Sequence, residues 1–167
     1  MLAKTGELVS GMGIRYAHTN IVARDWRRLA DFYIEVLDCE PVLPERDYRG
    51  EMIGKIAGLR PEPGAALNGI HLRLPGHGEN GPTLEIFQYE PDGAGYEIQS
   101  DTKGFSHIAF AVDDVKAVTA KFLDRGGSEV GEYVEMDVDG AGHIKLHYLA
   151  DPEGNIVELQ AWSPLEG

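Results

Sequence analysis

The sequence predicts an α+β fold built from two tandem modules, each with the order strand, helix, strand, strand, strand. Three observations support this prediction. Hydrophobic residues recur with helical spacing in two segments and alternate along several others. The segment YAHTNIVARDW at 16–26 aligns with FSHIAFAVDDV at 105–115, and TLEIFQY at 83–89 aligns with IVELQAW at 156–162. A length of 167 residues also suits two small repeated modules.

The first module is predicted over residues 14–90 and begins with a strand at 14–22. A helix follows, because apolar residues recur at the spacing of one helical face and Asp25 precedes them as an N-cap. The apolar stripe consists of Trp26, Leu29, Ala30, Tyr33 and Leu37. This stripe is expected to pack the helix onto the sheet.

Three further strands complete the first module in this prediction. They are expected near 39–43, at 69–74 and at 82–90. The segment 44–69 is rich in Pro and Gly and is too long for an ordinary connection. We therefore predict a functional loop there, with a short helix at 51–57.

The second module is predicted over residues 104–163, after a Gly-rich linker at 91–103. Its helix is expected at 114–125, with Asp113 as the N-cap. Its strands are expected at 104–112, near 129–136, at 143–150 and at 155–162. Loose tails are expected at the two ends, residues 1–13 and 164–167.

Composition and charge exclude several classes of partner. The chain has 15 Lys and Arg residues against 28 Asp and Glu residues, a formal net charge of -13, which repels a phosphate backbone and argues against nucleic-acid binding. The single Cys39 excludes an intrachain disulfide and a multi-cysteine zinc site, so a cytoplasmic location is expected. No apolar run approaches roughly 18 residues, so neither a membrane span nor a secretory signal is expected.

Each module carries one histidine in its first strand and one glutamate in its last strand. The alignments superpose His18 on His107 and Glu85 on Glu158. Because side chains alternate along a strand, all four project from the face that the apolar, helix-packing residues do not use. A carboxylate among apolar neighbours is costly unless it is paired, hydrogen-bonded or bound to a cation. If the free sheet faces oppose each other, the four side chains form a divalent metal site with two nitrogen and two oxygen ligands.

The other four histidines have no counterpart in the opposite module. They are His71, His77, His143 and His147. A histidine without a repeated partner is more often a core or surface residue than a ligand, so all four are expected in loops or at the surface. His143 and His147 share one strand face and are the two that could line a cleft.

The paired modules, the repeated His and Glu residues and the DPEGNIVEL run at 151–159 resemble the vicinal oxygen chelate superfamily over about residues 14–163. This superfamily includes glyoxalase I, methylmalonyl-CoA epimerase, extradiol dioxygenases, and fosfomycin and bleomycin resistance proteins. The resemblance implies paired βαβββ modules whose curved mixed sheets form a metal-binding cleft. It also implies one divalent ion per site (Zn, Ni, Co, Mn or Fe), a small-molecule substrate with vicinal oxygens, and a homodimer.

In glyoxalase I and the epimerase, all four module positions supply ligands. Here the matching positions hold His18, Glu85, His107 and Glu158. The resemblance therefore favours a glyoxalase-like lyase or an epimerase-type isomerase that abstracts a proton next to a metal-chelated carbonyl. Glu85 or Glu158 would serve as the general base.

Other chemistries of the superfamily remain as alternatives. A non-haem Fe(II) extradiol dioxygenase needs only two histidines and one carboxylate. A drug-binding protein of the bleomycin-resistance type normally lacks the ligands, and a fosfomycin-resistance transferase requires a thiol. No segment of the 44–69 loop matches a glutathione site, so the sequence does not specify the substrate. The apolar residues of that loop either cover a substrate or pack the loop down.

Overall fold

The structure is a computed structural model that describes residues 15–58, 64–95 and 97–165. Two mixed sheets follow each other along the chain, each accompanied by a long helix. The first sheet region comprises β1 (His18–Val22), α1 (Trp26–Leu37), β2 (Glu40–Arg49), α2 (Met52–Ala57), β3 (Ala66–Arg73) and β4 (Thr83–Glu90). The second comprises β5 (His107–Ala111), α3 (Val115–Asp124), β6 (Ser128–Glu129), β7 (Val134–Val138), β8 (Gly142–Ala150) and β9 (Ile156–Ser163).

The two sheets share one topology, which confirms the predicted fold of tandem βαβββ modules. The strand orders are β1-β4-β3-β2 and β5-β9-β8-β6, and β7 also pairs with β8. In each sheet the first strand is parallel to the last, whereas the other pairs are antiparallel. The helix between the first two strands makes the parallel pairing possible. The histidine strand thus lies beside the glutamate strand in both sheets.

The predicted 44–69 loop is shorter than expected. Strand β2 continues to Arg49 and β3 already begins at Ala66, so the connection spans only residues 50–65. The proline and glycine residues suggested a loop, but β2 is an edge strand, where proline is tolerated. A register shift between Val42 and Arg46 accommodates the extra residues. The predicted short helix is present as α2, and residues 59–63 lie outside the described residues.

Two details of the second module correct the sequence prediction. The N-cap of α3 is Asp114, not Asp113: the Asp114 carboxylate accepts the backbone N–H of Ala117 at 3.0 Å. The strand predicted near 129–136 is divided into β6 and β7. The backbone N–H groups of Val130 and Gly131 both donate to the Tyr148 carbonyl, an irregularity that interrupts the ladder. By contrast, Asp25 caps α1 as predicted.

One hydrophobic core joins the two modules. It is formed by α1, α3 and the sheet faces that carry Leu84 and Ile86 in β4 and Val157 and Leu159 in β9. Within it, the rings of Phe32 and Phe122 meet edge to face with centroids 4.8 Å apart. The modules therefore pack through their helical sides. The opposite sheet faces, which carry the repeated His and Glu residues, point away from this core.

The DPEGN turn provides a polar link between the modules. The Asp151 carboxylate, in a residue only 3% exposed, accepts the hydroxyl of Tyr33 of α1 at 2.9 Å. The Glu153 carboxylate accepts the backbone N–H groups of Arg24 and Asp25 at 2.7 and 2.9 Å, just before α1 begins. The turn thus ties the second module to the start of the first helix.

Within the described ranges, no helix is long and apolar enough to cross a membrane.

Candidate metal centre

The first half-site is formed by His18 of β1, Glu85 of β4 and His71 of β3. Nε2 of His18 lies 3.3 Å from Oε2 of Glu85, and Nε2 of His71 lies 2.9 Å from Oε1 of the same carboxylate. Asn20 donates its side-chain amide to Oε2 of Glu85 at 3.4 Å. The Glu85 side chain is only 12% exposed, so its charge needs these partners.

The His71 ring is fixed on both sides. Its Nδ1 lies 3.1 Å from the hydroxyl oxygen of Thr83, while its Nε2 faces Glu85. Burial lowers the pKa of the His71 imidazole, with Arg46 and His18 acting in the same direction and Glu85 opposing them. Burial and the neighbouring cations thus favour the uncharged form of the ring.

The second half-site is formed by His107 of β5, Glu158 of β9 and Tyr148 of β8. Nε2 of His107 lies 3.2 Å from Oε2 of Glu158, whose side chain is 12% exposed. Nδ1 of His107 lies 2.8 Å from the Ser106 hydroxyl, a contact that orients the ring with Nε2 toward the carboxylate. Burial and, secondarily, a hydrogen bond to Glu158 raise the pKa of the Tyr148 phenol.

A cavity of about 300 Å³ adjoins the second half-site. It is lined by Ser100, Ser106, His107, Val130, Gly131 and Tyr148. The ring of Tyr148 meets that of His107 edge to face, with centroids 5.0 Å apart. His107 of this half-site therefore borders a space that can admit a small molecule.

The structure brings His18 to Glu85 and His107 to Glu158, but it does not bring the two pairs together. Within the described part of one chain, no group of three or more His, Cys, Asp or Glu residues could hold a metal ion. The reason is the packing: the modules meet through α1 and α3, so the free sheet faces do not oppose each other within the chain. The four-ligand assignment stays a prediction, and it requires another arrangement of modules.

The donor chemistry of each half-site fits a divalent ion. Two ligand atoms bound to one ion at about 2.0–2.2 Å lie about 3 Å apart when their bonds are perpendicular. The observed Nε2 to Oε2 separations of 3.3 and 3.2 Å are close to that value. Imidazole and carboxylate ligands suit Zn, Ni, Co, Mn and Fe alike, so the donor set does not select the metal.

The first sheet carries a partial cover over its site face. Ile53 of α2 is buried in a small cluster with Ala65 and Leu67, and Phe87 and Tyr89 pack against it. Part of the Pro- and Gly-rich segment thus packs down on the sheet, while Met52 and Ile56 remain exposed. Leu59 of the same segment lies outside the described residues.

The expectation for the unpaired histidines is wrong in two cases. His71 lies in β3 and contacts Glu85 rather than occupying a loop. His147 is 3% exposed, and its ring contacts Thr119 of α3, so it faces the helix and not the cleft. Tyr148 takes the position toward the cleft instead. His77 is exposed in the turn before β4, and His143 contacts Asp137.

Sequence reasoning missed His71 and Tyr148 as site residues. The strand register shows why they belong together: His71 lies directly opposite Glu85, and Tyr148 lies directly opposite Glu158. The two positions are equivalent in the repeated modules, but they hold different residue types. A comparison of residue identities between the modules therefore gave no signal at this position.

A family model described as the Glyoxalase/Bleomycin resistance protein/Dioxygenase superfamily matches residues 15–159. The chain belongs to this superfamily. The match confirms the predicted resemblance to the vicinal oxygen chelate proteins. Members commonly bind a divalent metal and a small molecule and often form dimers, although the superfamily also includes resistance proteins that are not enzymes.

Solved structures share the fold of this superfamily member at low sequence identity. A glyoxalase family protein from Bacillus cereus is 16% identical with a TM-score of 0.68, and the match covers 99% of this chain and 100% of that one. A glyoxylase/bleomycin resistance protein/dioxygenase domain from Frankia sp. EAN1pec is 15% identical with a TM-score of 0.55, covering 90% and 98%.

A virulence protein from Salmonella typhimurium is 20% identical with a TM-score of 0.52, covering 90% of this chain and 98% of that one. At such identities, these similarities establish the fold alone. A comparison with curated proteins gives no significant match.

Proposed function

We propose that the protein is a metal-dependent lyase or isomerase of the glyoxalase or epimerase type. It would abstract a proton from carbon next to a carbonyl of a substrate with vicinal oxygens. The observation that carries this proposal is the repeated His–Glu pair, with Nε2 to Oε2 separations of 3.3 Å in one module and 3.2 Å in the other. Two carboxylates allow one to hold the ion while the other moves a proton.

The complete site is proposed to form between two copies of the chain. The first half-site of one copy would face the second half-site of its partner, supplying His18, Glu85, His107 and Glu158 together. Three observations support this arrangement. Each half-site contains one His–Glu pair. The modules pack through their helices, and both site faces lie outside the shared core. A homodimer would therefore contain two sites.

The second site face has a surface that suits such an assembly. Trp162 of β9 and Met136 of β7 are 49% and 48% exposed, and the strand register places both on the face that carries Glu158. Large apolar side chains left on a sheet face favour contact with another surface. The first half-site of a second copy is the proposed contact.

Each residue has a defined task in this proposal. A divalent ion bound there would supply Lewis-acid stabilisation of negative charge on substrate oxygens. His18 and His107 would hold the ion through Nε2, and Ser106 would keep the His107 ring in the required orientation. Glu85 has three side-chain partners, whereas Glu158 has His107 and Tyr148, so Glu158 is the proposed mobile base.

Elemental analysis of the protein purified without added metal is the first test. It is followed by assays with 2-oxoaldehyde–thiol adducts, acyl-CoA epimers and catechols, with substrate deuterium exchange in D2O as the readout of proton abstraction. The proposal expects about one divalent ion per chain and exchange with one of the first two classes. A metal-free dimer that shows no exchange would contradict it.

A ring-cleaving dioxygenase is the second candidate, because two histidines and one carboxylate of the proposed shared site (His18, His107 and Glu158) would suffice for it. Two histidines and one carboxylate are the donor set of non-haem Fe(II) oxygenases. Oxygen uptake with a catechol would favour this reaction, since proton transfer alone consumes no oxygen. Oxygen uptake that persists in Glu85→Gln but is lost in Glu158→Gln would support this donor set.

A further inference from the structure

We infer that Arg46 of β2 binds a carboxylate group of the substrate beside the first half-site. The inference rests on the proposed function and deepens it, because it names a class of substrate: a compound with two vicinal oxygens and a separate carboxylate. The repeated His–Glu pattern of the sequence does not include Arg46. Its contact with a carboxylate can be tested without a metal.

The strand register places Arg46 on the site face of the first sheet. Arg46 lies opposite Gly69 of β3, and Gly69 lies opposite Phe87 of β4. Residues paired across antiparallel strands share a face, as do alternate residues of one strand, so all three share the face that carries Glu85. Arg46 is half-buried, whereas the residues on either side of it in β2 are exposed. Its side chain therefore faces the site.

The guanidinium of Arg46 lies near His71. One of its N–H groups donates to the carbonyl of Pro44, in the part of β2 where the register shifts. That part lies between Arg46 and Val42, the residue opposite His71, so the hydrogen bond directs the guanidinium toward the histidine. Burial is the main cause of the lowered pKa of His71, and the charge of Arg46 acts in the same direction. An anion bound by Arg46 would thus lie next to the first half-site.

Arg46 differs from other arginines of the first module in its partners. Three of them form ion pairs at 2.7 Å: Arg27 with Glu45, Arg49 with Asp47, and Arg73 with Glu40. In the part of the chain that the structure describes, Arg46 has no such carboxylate. A guanidinium has five N–H donors in a planar fork that matches a carboxylate, and a partly buried one needs acceptors. Arg46 can therefore offer its remaining donors to a ligand.

The balance of charge favours a carboxylate over a phosphate. Arg73 lies on the same sheet face but is already paired with Glu40. One unpaired guanidinium balances the single charge of a carboxylate, whereas a phosphate group carries a charge of about -1.5 to -2 at neutral pH. The additional negative charge of a phosphate would lie near Glu85 without a cation of its own.

An aromatic ring borders both Arg46 and the half-site. The Phe87 ring lies over Gly69, so that a Cβ at Gly69 would clash with it. The same ring contacts that of His71 edge to face, with centroids 5.7 Å apart. An apolar group beside a guanidinium lowers the local dielectric constant, which strengthens the attraction for a carboxylate. The ring also offers a surface to an aliphatic link between the two ends of a substrate.

The first measurement needs no metal. NMR of the arginine Nε–H groups follows the addition of glutarate to the metal-free protein, with Arg46→Met used to assign the Arg46 signal. Glutarate is expected to shift this signal more than that of Arg49, which is paired with Asp47. An Arg46 signal that ignores glutarate, or that responds equally to the uncharged glutaramide, would overturn the inference. A stronger response to inorganic phosphate would overturn the choice of a carboxylate.

The second measurement is ligand binding to the Co²⁺-loaded protein. 2-Oxoglutarate and 2-oxopentanoate have the same vicinal oxygens and the same chain length, but only the first has a second carboxylate. The wild type is expected to bind 2-oxoglutarate about 10–100-fold more tightly, the usual effect of hydrogen bonds between charged groups. Arg46→Met should abolish this preference. Arg46→Lys should restore part of it, because an ammonium group keeps the charge but lacks the planar fork.

Arg49→Met is the matched control, because it removes the same charge from the same strand. Arg49 is exposed and alternates to the opposite face, so its replacement should leave the preference unchanged. Oxaloacetate and 2-oxoadipate vary the separation of the two ends, and at least one of the three dicarboxylates should show the preference.

Three results of the binding measurement would contradict the inference. They are no preference for any dicarboxylate in the wild type, equal weakening of both kinds of ligand by Arg46→Met, and an equal loss of preference in Arg49→Met. If instead the wild type binds no Co²⁺, the proposed function fails, and the glutarate titration still decides the role of Arg46.

Discussion

The two half-sites contain the same pair of residues in different surroundings. In the first, Glu85 contacts His18, His71 and Asn20, and α2 packs over the neighbouring sheet face. In the second, Glu158 has one histidine and a tyrosine, and the sheet face stays open. The repeat thus supplies two equivalent His–Glu pairs, and the residues around each pair make their surroundings different.

This difference suits a site in which one glutamate is a fixed ligand and the other a mobile general base. A carboxylate restrained by several hydrogen bonds suits a fixed ligand, because its orientation is set before the ion arrives. A carboxylate with fewer partners can move, as a general base must. The comparison therefore predicts that the two modules contribute differently to binding and to turnover.

The largest effect is expected from replacing the two glutamates separately. Glu158→Gln should lower turnover by about 10²–10⁴-fold with modest loss of bound metal, because it removes the proposed base. Glu85→Gln should mainly weaken metal binding. Metal content and single-turnover rates measured on both variants test this. Wild-type metal content and undiminished turnover in both would remove the base assignment, and equal defects would remove the asymmetry.

The next largest effect is expected from comparing the buried core between the modules with the open face of the second sheet. Phe122→Ala should lower the free energy of unfolding by about 3–5 kcal/mol, because the ring is fully buried between the modules. Trp162→Ala, on the open sheet face, should change the free energy of unfolding of the chain by about 0.5 kcal/mol or less. Urea denaturation measures both. Sedimentation should show weaker self-association of Trp162→Ala, and unchanged association would argue against the proposed contact face.

The polar link between the modules predicts a smaller loss. Tyr33→Phe removes the hydroxyl that donates to the buried Asp151 and should cost about 1.5–3 kcal/mol of unfolding free energy. Tyr48→Phe is the control, because Tyr48 is 54% exposed. Both are read from urea denaturation. Equal stability of the two variants would mean that the DPEGN turn does not stabilise the packing of the modules.

The helix caps allow the finest comparison between the modules. Asp25→Ala in α1 and Asp114→Ala in α3 should each cost about 0.5–2 kcal/mol, because each carboxylate accepts a backbone N–H of the first turn. Asp113→Ala should have little effect. Thermal denaturation of the three variants checks the assignment. A larger effect at Asp113 than at Asp114 would restore the cap that the sequence suggested.

The sequence predicted the fold and the repeated His–Glu pairs because both depend on short-range patterns. Helical spacing gave α1 and α3, and superposing His18 on His107 identified the strands that carry the pairs. His71 and Tyr148 could not be found in this way, since their positions depend on the register of β3 and β8. Register is set by packing and by bulges, which residue spacing alone does not reveal.

The way in which the two modules pack together could not be predicted from the sequence either. Each sheet has a helix-packing face and a free face, and either could meet the other module. In the structure the large buried side chains of α1 and α3, including Phe32 and Phe122, bring the helical sides together. The free faces consequently do not meet within the described part of one chain, so the proposed set of four ligands requires a second copy.

Complementation between two inactive variants tests this account most directly. One variant carries His18→Ala and Glu85→Gln, and the other carries His107→Ala and Glu158→Gln, so neither homodimer has an intact set of four residues. In a mixed dimer of the two, isolated through different affinity tags, a site shared between copies leaves one complete set. The account predicts one tightly bound Co²⁺ per mixed dimer and none in either homodimer. A mixed dimer without Co²⁺, beside a wild type that binds it, would contradict the shared site.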